Sequence, residues 1–476
     1  MIRGLCLRSA LAPAILLAPT FADAHAFGVR YDLPLPLGYF LVAAGMAVAV
    51  SFLAALIFLQ RSSGSAIGLD IAIAPAIMSA ARALLASFGL LGLVVVLVTA
   101  MFGPIEPTRN LATVTVWILW WVGFLLFSAL VADLWPAIDP FRRSYLLVAR
   151  LLRRDPERVP TSLPSAAGWL APLGMLALGW LELVSGWSEN PRALAALVGL
   201  YLAVSVGAGL VFGIEWFRRA DPLARIFALV SRVAPLTLVG SRGIRLRPWG
   251  EGLVDASPAL PGNVALVACL MGAVLFDGLS ETPAWAAVLD LVSESRALRP
   301  ALLALRDRGL DLLAVLKTIG LVGTVIAIFG LYWFLAWGMR TCSGTALSTR
   351  SVGTALAGCL LPIVVAYHLA HYLSYLLLAG QLAAPAASDP FGLGWDLLRV
   401  TGRPIDIGVI GAKQVWWVAV AALVAGHCLS VLVGHRCALA LFGSPWPAAR
   451  SQAPMLMAMV GLTVLSLWIL AQPIVA

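Results

Sequence analysis

Charged side chains are scarce in this sequence. Asp, Glu, Lys and Arg together make up 12% of its 476 residues, whereas 61% are hydrophobic. The mean hydropathy is +0.95. A soluble protein carries roughly 25% charged residues, because its surface faces water. The composition therefore excludes an ordinary soluble protein and predicts a surface that mostly faces lipid.

Several signatures of enzymes and cofactor proteins are missing as well. The sequence has no P-loop, no dinucleotide fingerprint, no G-x-S-x-G elbow, no H-E-x-x-H and no C-x-x-C-H. Phosphate-cradling ATPases, serine hydrolases of the elbow type and c-type cytochromes are therefore unsupported. The six cysteines include no C-x-x-C pair. This argues against a disulfide framework or a zinc ribbon, and we expect the cysteines to be small packing residues.

The N-terminal segment has the pattern of a secretory signal peptide. Two arginines precede a short apolar stretch, and Ala22-Asp23-Ala24 supplies a small-residue cleavage site. We predict a signal peptide over 1–24 and a transmembrane helical domain over 25–476. The mature chain would then begin outside the membrane at His25. An uncleaved anchor is the alternative.

Ten later segments are long and apolar enough to cross a bilayer. A spanning helix needs about 20 mostly apolar residues to cross ~30 Å. The predicted spans are 37–59, 84–103, 111–134, 166–187, 193–216, 263–281, 313–338, 352–380, 414–434 and 455–472. The sequence thus predicts an all-α polytopic transmembrane bundle of about ten spanning helices, with its N-terminus outside.

The basic residues follow this topology. The five loops predicted to be cytoplasmic hold nineteen arginines and seven acidic residues, whereas the opposite side is near neutral. An arginine and lysine excess marks the cytoplasmic side of a membrane protein. The net charge of +9 therefore indicates orientation in a bacterial inner (cytoplasmic) membrane, with the lipid bilayer as partner and no nucleic acid.

Two of these loops combine arginines with apolar residues at helical spacing. The segments 144–154 and 223–239 are predicted to be interfacial helices on the anionic leaflet. Basic loops that serve only topology are the alternative. The outer loops 282–312 and 381–412 are predicted to be short lids at most.

Three histidines inside predicted spans suggest a metal site. His368 and His371 are three residues apart and share a face of the eighth predicted span. His427 lies at a similar depth in the ninth, judged from a rise of about 1.5 Å per residue. Imidazoles suit a divalent metal such as zinc or copper, or iron, with one position left open for water. Interhelical hydrogen bonds, heme ligation and a proton relay remain alternatives.

Two carboxylates could complete this site. Glu182 in the fourth predicted span and Asp277 in the sixth lie near the outer side. Charged groups within a bilayer usually face a protein interior or an aqueous cavity. We expect Asp277 or Glu182 to orient the metal ligands or to act as a general base. His25 could cap the site or bind copper independently.

Other polar and aromatic residues are assigned to the membrane boundaries. His435, beside Arg436 at the cytoplasmic edge, is expected to be solvated. Tryptophans near the outer ends of spans are expected to form an aromatic belt. They are Trp117, Trp120, Trp121, Trp416 and Trp417.

Short motifs across nearly the whole chain resemble one family. They include His25-Ala26-Phe27-Gly28, Trp180-Leu181-Glu182-Leu183, Phe276-Asp277-Gly278-Leu279-Ser280, Ala370-His371-Tyr372-Leu373-Ser374, Gly380-Gln381 and Ala425-Gly426-His427. Together they resemble the membrane-bound fenitrothion hydrolase (organophosphorus hydrolase) family. The resemblance implies a phosphoric triester hydrolase that splits a P–O–aryl bond and releases a nitrophenol. It supplies no catalytic constellation. Tyr372 and Gln381, within these motifs, are candidate substrate-binding residues. The sequence departs from the family pattern at Gly434-His435-Arg436, where an acid would follow the histidine.

These observations combine into one hypothesis. An apolar small-molecule substrate would partition into the bilayer and reach a cavity between the spans. A metal-bound water held by His368, His371 and His427 would attack phosphorus. The alternatives are a transporter or permease, favoured by ten spans and buried carboxylates, a heme- or copper-binding membrane protein, and an assembly factor.

Overall fold

Ten membrane-crossing helices build the molecule. The computed structural model describes residues 34–59, 68–157, 161–240, 243–254, 260–400 and 402–472. The predicted signal peptide and His25 lie outside these residues. Within them, ten helices are long and apolar enough to span a membrane. The predicted all-α polytopic bundle is therefore confirmed, and the chain is a multi-pass membrane protein.

All ten predicted spans correspond to these helices. Spans 1 to 5 are Leu37–Phe58, Pro75–Phe102, Leu111–Leu130, Ser165–Leu183 and Pro191–Phe212. Spans 6 to 10 are Asn263–Ser280, Leu312–Ser343, Thr349–Ser388, Ala412–Phe442 and Pro445–Leu470. Several run past the predicted ends, because hydropathy reports the apolar part of a helix and not its full length. Span 2 thus begins at Pro75, since proline is tolerated in the first turn of a helix.

Three spans depart from regular α-helix. Span 3 contains an eleven-residue π-helix, Val114–Phe124, between the α-helical pieces Leu111–Thr113 and Leu125–Leu130. Span 4 opens with a 3-10 turn, Ser165–Trp169, before its α-helix Leu170–Leu183. Span 8 consists of Thr349–Leu356, the 3-10 turn Ala357–Leu360, Leu361–Ala379, the 3-10 turn Gly380–Leu382 and Ala383–Ser388. π-helical segments often mark functional sites. The π-helix of span 3, which packs against span 8, is therefore a candidate part of such a site.

Spans 6 and 8 form the centre of the bundle. In their most apolar windows, 72% of span 6 and 78% of span 8 is buried, against 11% of span 7. Span 8 packs against spans 9 and 6 and against the π-helix of span 3. A helix buried on all sides presents little surface to lipid. Polar side chains on spans 6 and 8 therefore have to find partners within the protein.

A small sheet joins three of the loops predicted to be cytoplasmic and rich in arginine, those after spans 1, 3 and 5. Its strands are β1, Leu69–Ala72; β2, Ala132–Asp133; β3, Leu236–Val239; and β4, Gly243–Leu246. Their order is β1-β4-β3-β2, with β2 and β3 parallel and the other pairs antiparallel. No strand is predicted from the sequence in these loops. The pairing depends on segments far apart in the chain, which local patterns do not reveal.

The two predicted interfacial helices have different outcomes. Segment 144–154 lies largely within the helix Pro140–Leu151, whose N-terminus is capped by Asp139. The helix expected over 223–239 is wrong in its second half, because Pro222–Val230 ends before Pro235 and β3 follows. Its first half is buried in the core instead of lying on a leaflet.

The remaining described helices are short. Those in the arginine-rich loops are Trp135–Ile138, Glu215–Arg219 and Glu251–Val254. On the opposite side, a 3-10 turn covers Trp187–Glu189. The predicted lid at 282–312 forms two helices, Pro283–Glu294 and Arg299–Asp307, that contain no buried residue.

Candidate functional site

A buried carboxylate connects spans 6 and 8. The Asp277 Oδ2 atom accepts a hydrogen bond from the Tyr372 hydroxyl at 2.5 Å and lies 2.8 Å from His371 Nε2. The Asp277 and His371 side chains are only 9% and 1% exposed. A charge removed from water needs such partners. The structure thus brings together three of the residues singled out in the sequence.

Gly278 permits this close contact. A Cβ atom at Gly278 would lie 2.6 Å from the Tyr367 hydroxyl and 3.6 Å from His371 Cε1. The Tyr367 ring stacks on the His371 ring at a centroid distance of 6.0 Å. Glycine next to Asp277 therefore lets span 8 approach span 6 closely enough for His371 to reach the carboxylate.

Glu182 is held by a tryptophan from the π-helix of span 3. Trp121 Nε1 donates a hydrogen bond to Glu182 Oε2 at 2.8 Å. The Trp121 ring also meets the His368 ring edge-on, with centroids 6.5 Å apart. His368 in turn lies beside Tyr372, at a centroid distance of 4.7 Å. Trp121 and Tyr372 therefore link Glu182, His368 and Asp277 into one polar cluster.

A small cavity lies within this cluster. Its polar lining comes from Trp121, Glu182, His368 and Tyr372, and the rest of its wall is mainly apolar. Its volume is about 20 Å³, enough for one water molecule. His368 Nε2 is buried and has no hydrogen-bond partner among the described residues. A buried nitrogen on the wall of a polar cavity is a binding point for water.

His427, the third histidine of the predicted metal site, lies on span 9. His427 is fully buried, and its Nδ1–H donates to the Leu423 carbonyl of its own helix at 2.8 Å. The neighbouring Gly426 faces span 8, because a Cβ there would lie 2.7 Å from the Pro362 carbonyl oxygen. One residue corresponds to roughly 100° of rotation around an α-helix. His427 therefore lies roughly 100° around span 9 from the direction in which Gly426 meets span 8, and its convergence with His368 and His371 stays a prediction.

The positions of the His, Cys, Asp and Glu side chains bear on the predicted metal site. Across the part of the chain that the structure describes, no three His, Cys, Asp or Glu side chains form a group that could hold a metal ion. Asp277 Oδ2 is already engaged by His371 and Tyr372. No chemical step below passes through a metal. Metal binding itself stays a prediction.

Gln381 lies away from the cluster. Its side-chain amide donates to the Leu377 and Asp406 carbonyls at 3.0 and 3.1 Å, and its Oε1 accepts from the Asp406 backbone N–H at 2.9 Å. These bonds fasten the loop after span 8 to the end of that span. Its predicted role in substrate binding stays a prediction.

The prediction that His435 is solvated is wrong. The side chain is buried, its Nε2–H donates to the Leu59 carbonyl at 2.9 Å, and its Nδ1 accepts from Gln452 at 2.7 Å. Arg436 forms an ion pair with the buried Glu251. His435 therefore joins span 9 to the end of span 1 and to span 10, and Arg436 joins span 9 to the loop helix Glu251–Val254. Neither residue serves only to face water.

The prediction that five tryptophans form an aromatic belt is also wrong in part. Trp121 and Trp416 are buried, and Trp120 packs against Trp135 and Phe227. Trp417, at 45% exposure, fits the expectation. The π-helix alters the rotation of span 3, so position along the sequence could not show that Trp121 points inward. Its contact with Glu182 is the main feature of the site that sequence reasoning missed.

Comparisons with known proteins do not identify a relative. No family model, curated protein or solved structure matches the chain. The resemblance to the fenitrothion hydrolases therefore stays a sequence-based expectation, and function has to be argued from the site itself.

Proposed function

We propose that the chain is a membrane-embedded hydrolase of neutral organophosphorus triesters, located in a bacterial inner membrane. The observation that carries the proposal is His368, which lines a cavity with room for one water molecule and whose buried Nε2 has no hydrogen-bond partner among the described residues. A nitrogen in this position can act as a general base towards that water. The sequence motifs favour an aryl phosphotriester as the substrate class.

The reaction balances with the protein's own groups. His368 Nε2, in its unprotonated form, would take a proton from water while the water oxygen forms a bond to phosphorus. The P–O–aryl bond then breaks, and the nitrophenolate leaves with the bonding electron pair. The proton on His368 passes to the nitrophenolate or to solvent. One triester and one water thus yield one phosphodiester and one nitrophenol.

The neighbouring residues would position His368. Tyr372 is anchored through its hydroxyl to Asp277, which fixes its ring against the His368 ring. Asp277 is itself held by His371. Glu182, oriented by Trp121, lines the same cavity and would accept a hydrogen bond from the water. Asp277, His371 and Tyr372 are therefore positioning residues, whereas Glu182 can accept a proton or a hydrogen bond.

Substrate binding requires the cavity to enlarge. Drug-sized ligands occupy roughly 300–1,000 Å³, far more than the 20 Å³ present. Span 3 forms one wall through Trp121 of its π-helix and Leu125, the residue that follows it. We expect its displacement to admit the substrate from the lipid, since lids and shifting segments commonly gate enclosed sites.

The test is nitrophenol release from a nitrophenyl phosphotriester by the purified protein. Replacing His368 with Gln should lower kcat by roughly 100-fold or more, the usual contribution of a general base. His435→Gln is the matched control, because that histidine is buried but lies outside the cluster. Full activity in the His368 variant would exclude this mechanism. Elemental analysis of the same preparations tests the predicted zinc or copper.

A proton-coupled transporter is the second candidate. The interrupted backbone of span 8 and the two carboxylates Glu182 and Asp277 favour it, because transporters bind substrates and protons at broken helices near the midplane. Counterflow uptake in liposomes measures this activity. Uptake that depends on Asp277, in a protein that releases no nitrophenol, would support the transporter over the hydrolase.

A further inference from the structure

A second, larger cavity lies at the end of the bundle that carries the sheet. Its volume is about 330 Å³. Span 2 contributes Arg82, and the helix Pro140–Leu151 contributes Arg142 and Arg143. Asp133 of β2 is the one acidic residue on its wall within the described part of the chain. Three arginines and one aspartate therefore line the same cavity.

The acids near these arginines act on them from beyond ion-pair distance: Asp139 acts on Arg142 and Arg143, and Glu157 acts on Arg142. None of the ion pairs between described residues includes Arg82, Arg142 or Arg143. The Nε atoms of all three are buried without an acceptor among the described residues. Arginine is the side chain that most often forms paired hydrogen bonds with carboxylate or phosphate oxygens. Each of the three arginines that line the cavity thus keeps a donor without a partner among the described residues.

Backbone contacts hold two of the arginines in place. The Arg143 guanidinium donates to the Ala137 carbonyl at 3.1 Å and to the Pro136 carbonyl at 3.4 Å. The Arg82 guanidinium donates to the Gly240 carbonyl in the turn between β3 and β4. Donors that are already fixed lose less conformational entropy when a ligand binds. The sheet therefore orders one wall of the cavity.

The nearby acids offset only part of this charge. The Asp139 carboxylate accepts hydrogen bonds from the backbone N–H groups of Phe141 and Arg142 as a helix cap. Burial raises the pKa of Asp133 to about 6, against the opposing effects of a Ser231 hydrogen bond and the charge of Arg247. Burial and the neighbouring Arg142 lower the pKa of Arg143. The positive charges thus repel one another until an anion is present.

We propose that this cavity binds a phosphate-bearing anion, with the headgroup of an anionic phospholipid as the expected source. Leu84 and Phe88, just beyond Arg82 in span 2, are 72% and 70% exposed and so lie on the lipid-facing surface of the bundle. Basic pockets between spanning helices on the cytoplasmic side bind anionic headgroups. A free phosphate ion would satisfy the same three arginines. This site is independent of the proposed hydrolase.

The test measures binding to the delipidated full-length protein by its thermal stability in detergent. Three additions are compared: phosphatidylglycerol, phosphatidylcholine and inorganic phosphate. A ligand that binds only the folded protein raises its Tm. We expect phosphatidylglycerol to raise Tm and phosphatidylcholine to have no effect. A rise with inorganic phosphate alone would keep the anion site but overturn the lipid source.

Variants identify the site. Arg142→Gln combined with Arg143→Gln should weaken phosphatidylglycerol binding at least 10-fold, whereas Arg150→Gln, on the exposed face of the same helix, should leave it unchanged. Asp133→Asn should tighten binding, because it removes the one negative charge from the wall. Equal affinity in the double variant and the wild type would overturn the proposal. Tightening by Asp133→Asn provides the test if the double variant fails to fold.

Discussion

Replacing Gly278 with alanine tests the close approach of spans 6 and 8. The added Cβ would lie 2.6 Å from the Tyr367 hydroxyl and 3.0 Å from Ile469 Cγ2. Atoms in contact normally lie about 3.5–4.0 Å apart, so the neighbours must move by roughly 0.5–1 Å. Overpacking of this kind typically costs about 1–3 kcal/mol. Because the Tyr367 ring stacks on the His371 ring, we expect its movement to weaken the hydrogen bond between His371 and Asp277.

A matched variant isolates this effect. Gly323→Ala in span 7 adds a methyl group where no atom lies within 4 Å. Both changes gain the same helix propensity, up to about 1 kcal/mol. The difference in unfolding free energy between the two variants therefore equals the overpacking term, about 1–3 kcal/mol. Unfolding of each protein in mixed micelles, followed by circular dichroism, gives that difference.

Two outcomes for Gly278→Ala would contradict this account. If Gly278→Ala is as stable as Gly323→Ala, the contact between Gly278 and Tyr367 does not limit how closely the helices pack. If it also releases nitrophenol at the wild-type rate, the positioning of His371 by Asp277 is not required.

Two further predictions concern the polar cluster and the sheet. Tyr372→Phe removes the hydrogen bond from the Tyr372 hydroxyl to Asp277, so we expect a loss of about 1.5–3 kcal/mol of unfolding free energy and a lower kcat. Unchanged values of both would contradict the cluster. The raised pKa of Asp133, about 6, means that the folded protein binds this proton more tightly than the unfolded chain. Stability should therefore rise as the pH falls from 7 to 5, with the gain complete below about 4. Asp133→Asn should flatten the Tm-against-pH curve, and an equal slope in both proteins would contradict the assignment.

The ten spans could be predicted because each depends on local composition. About twenty apolar residues in a row are enough to define a span, whatever the rest of the chain does. The proximity of Asp277 and His371 was foreseeable only in part, since both are polar groups that have to face the protein interior. Their direct hydrogen bond depends on Gly278, whose role becomes visible only once Tyr367 is placed.

The remaining features depend on rotation and on distant partners. The depth of His427 can be estimated from its position in the sequence, but the face it occupies follows from the packing of Gly426 on span 8. Trp121 points inward because span 3 is π-helical, which no residue pattern indicated. The partners of His435, Leu59 and Gln452, lie on other helices.

The most direct test of the central claim is hydrolysis of a nitrophenyl phosphotriester in water enriched in oxygen-18. Water activated by His368 would attack phosphorus, so one labelled oxygen should appear in the phosphodiester and none in the nitrophenol. Label in the nitrophenol, or no turnover by the purified protein, would contradict the account.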